Sequence, residues 1–139
     1  MLKFIVKTHR KDIVHAGNQI YILSKGLNSG KPQKEPFTNS FVIILQSEED
    51  AETVYWLAYS LWKAKFWHQH QIGSVIPFIR IITFKINFRR EVLSAYKKNQ
   101  KIQDFVNRIR QLETLQNHYL KTIEHIEKLK CAFLQNQLR

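Results

Sequence analysis

The segment Lys25 to Pro32, KGLNSGKP, is the nearest the chain comes to a phosphate loop. A nucleotide-hydrolysing loop needs four residues between its first Gly and the Gly-Lys pair, then Ser or Thr for a magnesium ion. Here three residues separate Gly26 from Gly30, and Pro32 follows Lys31. Phosphoryl transfer depends on that geometry, so nucleotide hydrolysis is not expected. The loop still offers backbone amides, Lys25, Asn28 and Lys31 to a phosphate backbone. An ordinary exposed turn explains it as well.

His68 and His70 stand one residue apart and on a strand would share a face. A zinc site wants three or four ligands, and no Cys, Asp or Glu lies near them in sequence. No metal is expected there, and a polar helix end is the simpler reading. Cys131 is the single cysteine, so no disulfide forms within one chain. His125 is six positions away, on another face of a straight helix, so a Cys-His nucleophilic pair is not expected. Metal-dependent cleavage needs clustered carboxylates. Most acidic residues of the first ninety lie at Glu48, Glu49, Asp50 and Glu52, where helix capping accounts for them. No E-x-K or D-x-K triplet occurs. The expectation is a protein that is not an enzyme and carries no cofactor.

The net charge of +11 points to a polyanion, with nucleic acid ahead of an acidic membrane face. Residues through Arg90 contain 13 basic and 6 acidic side chains, and the rest contain 9 and 5, so the excess is not a basic tail. Tyr55, Trp56, Tyr59, Trp62, Phe66 and Trp67 could stack bases. Their spacing of three and four reads first as core, with Trp56 and Lys63 off that stripe. The start MLKFIVKTHRKDIVHAG is not read as a signal peptide, because charges interrupt it. No apolar run approaches about eighteen residues, so no membrane span is expected. One cysteine fits a reducing, cytoplasmic setting.

The elements that must position these residues read as follows. Lys3–Lys7, Gln19–Ser24 and Phe41–Gln46 are strand candidates, the last apolar throughout and so buried on both faces. KGLNSGKPQKEP is a loop. Ser47 caps a helix that carries Val54, Leu57, Ala58, Leu61 and Trp62 and ends near Trp67 or His68. Gly73 breaks the chain. The segment GSVIPFIRIITFKINF reads as strand, because Phe84, Ile86 and Phe88 alternate with polar residues and Pro77 suits an edge. The chain is helical from about Glu91.

From there a heptad seam runs Ile102, Phe105, Ile109, Leu112, Gln116, Tyr119, Ile123, Ile126, Lys130, Phe133, with polar residues at Gln116 and Lys130. A helix from about Asn99 to Asn136 would be roughly 57 Å long. The fold expectation is α+β: a small mixed α/β head over residues 1–90 and a long C-terminal helix over 91–139. The seam predicts self-association or docking on another helical protein.

The C-terminal part resembles the conserved helix of type I restriction-modification specificity subunits. The order Gln100, Ile102, Phe105, Ile109, Leu115, Gln116, Ile123, Leu129, Lys130, Leu134, Gln135 carries the resemblance, which extends over residues 41–138. Upstream, FVIILQ, the helix from Glu48 and the Gly-Ser-x-Ile-Pro turn of GSVIPFIRI are similar to the end of a target-recognition domain. Such subunits carry two recognition domains and two helices, and a Pro-Leu-Pro-Pro run precedes the helix. Here one helix is present and NFRREVLSAYKKN stands in place of that run. The alternative is an uncharacterised family of short basic bacterial or phage proteins.

The resemblance implies a DNA-binding head whose loops and strand ends make the contacts. The residues expected there are Lys25, Asn28, Lys31 and Lys34 in the first loop, Ser74 and Arg80 around the second turn, and Arg89 and Arg90 before the helix. Asn28 and Arg80 are the candidates for reading base edges. The competing reading is an interaction module with no nucleic-acid role. A third is a small hydrolase using Cys131, His68 and His70.

Overall fold

A computed structural model describes residues 1–98 and 101–139. The expected helix start at Asn99, and Gln100 of the family-like order, lie outside the described residues. The fold is α+β, as the sequence predicts. Four strands, β1 (Phe4–Thr8), β2 (Asn18–Leu23), β3 (Pro32–Gln33) and β4 (Ser40–Leu45), form an antiparallel sheet in the order β1-β4-β2-β3. Helices α1 (Glu48–Lys63), α2 (Ile81–Lys98) and α3 (Ile102–Gln137) follow, with a 3₁₀ turn over Phe66–His70 between α1 and α2. The chain divides into two compact units, Met1–Gln103 and Asp104–Arg139.

β4 lies inside the sheet and all six of its residues are buried, which is why it reads as an unbroken apolar run. Its register sets Phe41 opposite Thr8 and Ile22, and Ile43 opposite Val6 and Ile20. Period-two alternation therefore puts Phe4, Val6, Ile20, Ile22, Phe41, Ile43 and Leu45 on one face. Phe88 meets Phe4 there at 5.7 Å between ring centroids, and Phe84 stacks on Phe41 at 4.9 Å. Trp67, from the 3₁₀ turn, lies 4.9 Å from Phe84. The opposite face holds a smaller buried group of Tyr21, Val42 and Ile44.

The segment expected as a strand through Phe84, Ile86 and Phe88 is helix α2. The residues that decide it are Phe84, Phe88 and Val92, one per four positions and all buried, while Ile82 and Ile86 are exposed. Burial of that stripe against the sheet outweighs the strand preference of β-branched residues. Because α2 supplies core side chains, the first unit ends at Gln103 and not at 90.

Ser47 caps α1, its hydroxyl accepting the Asp50 amide at 3.3 Å. The helix ends at Lys63, earlier than expected, and Lys65 then takes a left-handed φ of 59°. Trp56, expected off the buried stripe, is buried, and its indole N–H donates to Glu52 Oε1 at 2.8 Å. The loop after β2 is not wholly exposed. Ser29, Gly30 and Pro32 are buried, and Pro32–Gln33 pairs with β2 as an edge strand, where proline costs no ladder bond.

α3 spans 36 residues without Gly or Pro, about 54 Å at 1.5 Å per residue. Within the second unit Leu112, Tyr119, Ile123, Ile126 and Phe133 of the seam are exposed, each by half or more. No helix of the described residues is long and apolar enough to cross a membrane.

Candidate nucleic-acid interface

The loop after β2 turns back on itself through its glycines. Gly26 and Gly30 both adopt positive φ, and the Gly30 amide donates to the Leu23 carbonyl at 2.7 Å. The Ser29 hydroxyl and amide both donate to the Gly26 carbonyl. This closed turn presents Lys25 and Asn28 to solvent.

A second loop is joined to it. Ile72 and Phe78 exchange backbone hydrogen bonds at 2.9 and 2.8 Å, closing a tight loop around Ser74. Gly73 makes the turn at φ 101°, where an added Cβ would stand 2.6 Å from the Ile76 carbonyl oxygen. The Gly26 amide donates to the Pro77 carbonyl at 2.7 Å, and the Ile79 amide to the Ser24 carbonyl at 2.9 Å. Lys25 pairs with Phe78 as an isolated bridge. Two segments some fifty positions apart thus form one hydrogen-bonded rim. It carries Lys25, Asn28, Lys31, Ser74 and Arg80.

Beside the rim runs a ladder that sequence reasoning assigned to the core. Tyr55, Tyr59 and Trp62 on α1 are only half-buried. Lys31 Nζ stands 5.2 Å from the Trp62 ring, and Lys34 Nζ 5.1 Å from Tyr55. Lys63 Nζ lies 5.4 Å from Trp62 and 6.0 Å from Tyr59. Lys34 also sits 3.6 Å from Glu52. The signal that pointed here was the spacing of Tyr55, Tyr59 and Trp62 with Lys63 next in sequence. It was indistinguishable from a core stripe until the fold laid Lys31 and Lys34 over it.

The magnitudes favour release of these lysines to an anion. An exposed cation–aromatic contact is worth about 0.5–1 kcal/mol. A hydrogen bond to a charged group contributes about 1.5–3 kcal/mol. A phosphate can therefore draw an ammonium off its ring, leaving the ring to meet a base.

Arg89 and Arg90 are not part of this rim. They lie on α2, which packs on β1, and β1 and β3 are opposite edges of the sheet. The Arg89 guanidinium stacks 5.0 Å from the Phe4 ring, with Nη2 donating to the Phe4 carbonyl at 3.4 Å. Arg90 donates to Glu91 Oε1 at 3.0 Å and to Asn87 Oδ1 at 2.9 Å. Both have structural employment on the far edge.

His68 is exposed. His70 packs at 5.3 Å from Phe66 and 5.9 Å from Trp67, with its Nε2 buried and unpartnered. Among the described residues no group of three or more His, Cys, Asp or Glu gathers in a way that could hold a metal ion. Cys131 is a free, exposed thiol on α3.

Residues 6–136 match a family of unknown function, DUF6943. The chain belongs to that family. A comparison with curated proteins finds no match. A comparison with solved structures finds none either. The match reaches both units and covers the rim and all but the ends of the sheet and of α3.

Proposed function

We propose that this DUF6943 protein is a non-enzymatic, cytoplasmic DNA-binding protein whose first unit contacts the nucleic acid. The observation that carries the reading is the hydrogen-bonded junction of the two loops. It sets Lys25, Asn28 and Lys31 on the same rim as Ser74 and Arg80, next to a lysine–aromatic ladder. Lysines and Arg80 would take phosphates and supply affinity. Tyr55, Tyr59 and Trp62 would offer stacking faces to unpaired bases. Asn28 and Arg80 are the side chains suited to base edges. The net charge of +11 supports the same polyanion. So does the resemblance of α3 and its upstream segment to type I specificity subunits, whose heads bind DNA.

Mobility shift with a duplex and with a single strand of mixed sequence, over a salt series, tests it. Binding should weaken with salt at a slope of roughly −0.9 per phosphate contact on duplex and −0.7 on single strand. Flat, negligible binding at low salt removes the proposal.

The exposed apolar stripe of α3 favours a second reading, an interaction module that acts only through that helix. It predicts no DNA affinity and full retention of assembly.

A further inference from the structure

The stripe on α3 is wider than a two-position seam. With Ile109 and Ile123 as a positions and Leu112 and Ile126 as d, the flanking g positions are Arg108, Leu115, Thr122 and Leu129. The flanking e positions are Glu113, Leu120, Glu127 and Leu134. Leu115, Leu120, Leu129 and Leu134 are all exposed, by 49%, 57%, 70% and 57%. Both flanks therefore alternate polar and Leu, one heptad each.

That alternation is self-complementary in one arrangement. In a parallel pair each g residue faces the partner's e residue five positions on. In register this sets Arg108 against Glu113, Leu115 against Leu120, Thr122 against Glu127 and Leu129 against Leu134 of a second copy. Every polar residue meets a polar one and every Leu meets a Leu. A one-heptad slip puts a Leu against a polar residue at each step, Glu, Thr or Arg. In an antiparallel pair e faces e, and the alternation of Glu and Leu allows only two outcomes. Either Glu lies against Leu, or Glu lies against Glu wherever Leu meets Leu. Like charges or half-buried carboxylates penalise both.

We infer that α3 binds a second copy of this chain as a parallel, in-register two-stranded coiled coil. Gln116 faces Gln116 of the second copy and sets the register, as single polar a residues do. Lys130, the other polar a residue, already has Glu127 at 3.1 Å, so its charge enters the seam compensated. This names the occupant of the exposed α3 stripe, and it does not depend on nucleic acid binding.

The test uses the full chain carrying Ile123→Cys in a Cys131→Ser background, with Gln116 kept and without DNA. Light scattering should give twice the chain mass, and mild oxidation should link residue 123 to residue 123 as mapped on peptides. Near-UV circular dichroism from Trp56 and Trp67 checks that the first unit is folded. Glu113→Arg in the natural sequence should raise the dimer dissociation constant about tenfold, because the pair occurs twice in the two-fold assembly. Adding Arg108→Glu should restore it. Monomer mass at every concentration overturns the inference. So does a dimer that forms no 123–123 disulfide, or a Glu113→Arg effect that the second change leaves uncorrected.

Discussion

Gly30 lies against the Trp67 indole so closely that a Cβ on Gly30 would fall 2.1 Å from Trp67 Cδ1. Gly30 also holds φ at 92°. The first loop is thus seated directly on the ring that fills the core beside Phe84. Gly30→Ala should cost about 2–4 kcal/mol, combining left-handed strain with overpacking against a buried ring. Chemical denaturation followed by tryptophan fluorescence measures it. Gly26→Ala is the control. It shares the positive φ but has nothing within 4 Å of its Cβ, so its cost should be backbone strain alone, about 1 kcal/mol.

The rim and the far edge should separate under mutation. Lys25→Gln, Lys31→Gln and Arg80→Gln together should reduce the salt slope of duplex binding by roughly 2.7, near 0.9 for each lost phosphate contact. Arg89→Gln should leave that slope unchanged and lower stability, because its guanidinium covers Phe4 and bonds the Phe4 carbonyl. Paired measurements of the salt slope and the denaturation midpoint distinguish the two. A slope that falls by about 0.9 for Arg89→Gln and stays level for the triple variant would move the interface to the β1 edge.

Strands β1, β2 and β4 and the Ser47 cap were legible because their signals are local: β-branched runs, alternation, a hydroxyl before acidic residues. The segment around Phe84 was not. Phe84, Ile86 and Phe88 alternate, while Phe84, Phe88 and Val92 repeat by four, and both patterns coexist in one stretch. Only the sheet it covers selects the second. The same holds for the candidate site. The loop lysines stood out by composition. Their junction with Ser74 and Arg80 rests on backbone bonds between Ser24, Gly26, Pro77 and Ile79, which no side-chain pattern encodes. The Arg89–Arg90 pair looked like an anion site for the converse reason. The engagement of Arg89 with Phe4 crosses 85 positions of sequence.

Tyr96 gives the first unit an alkaline limit. Burial, then the Asp50 carboxylate, pushes its phenol up from 10 to about 12. Its hydroxyl reaches Asp50 Oδ1 at 3.5 Å. Between pH 10 and 12 the unfolded chain loses this proton while the folded chain keeps it, so the folded state binds more protons. Stability from this group is complete below pH 10 and is lost as pH rises through 12. Tyr21, also raised by burial and by Glu35, contributes in the same direction. Tyr96→Phe should flatten the decline in thermal midpoint over that range in part, with Tyr21 supplying the remainder. An unchanged decline in Tyr96→Phe would assign the limit elsewhere.

Gln116 separates a seam from a solvated face by its sign. On an exposed helix face Gln and Leu differ little in helix propensity, so Gln116→Leu would be neutral. In a coiled-coil a layer the same change removes two facing amides from an apolar interior and adds apolar burial on both chains. The expected gain is about 1–2 kcal/mol per dimer. It should appear as a higher thermal midpoint of the α3 transition, and the midpoint should rise with protein concentration because association is part of folding. The gain should come with a looser register. Disulfide mapping of Ile123→Cys in the Cys131→Ser background should then show heterogeneous partners with Gln116→Leu and a single 123–123 link without it. A neutral Gln116→Leu with a concentration-independent midpoint would make residue 116 a solvent position and leave α3 without a coiled-coil partner.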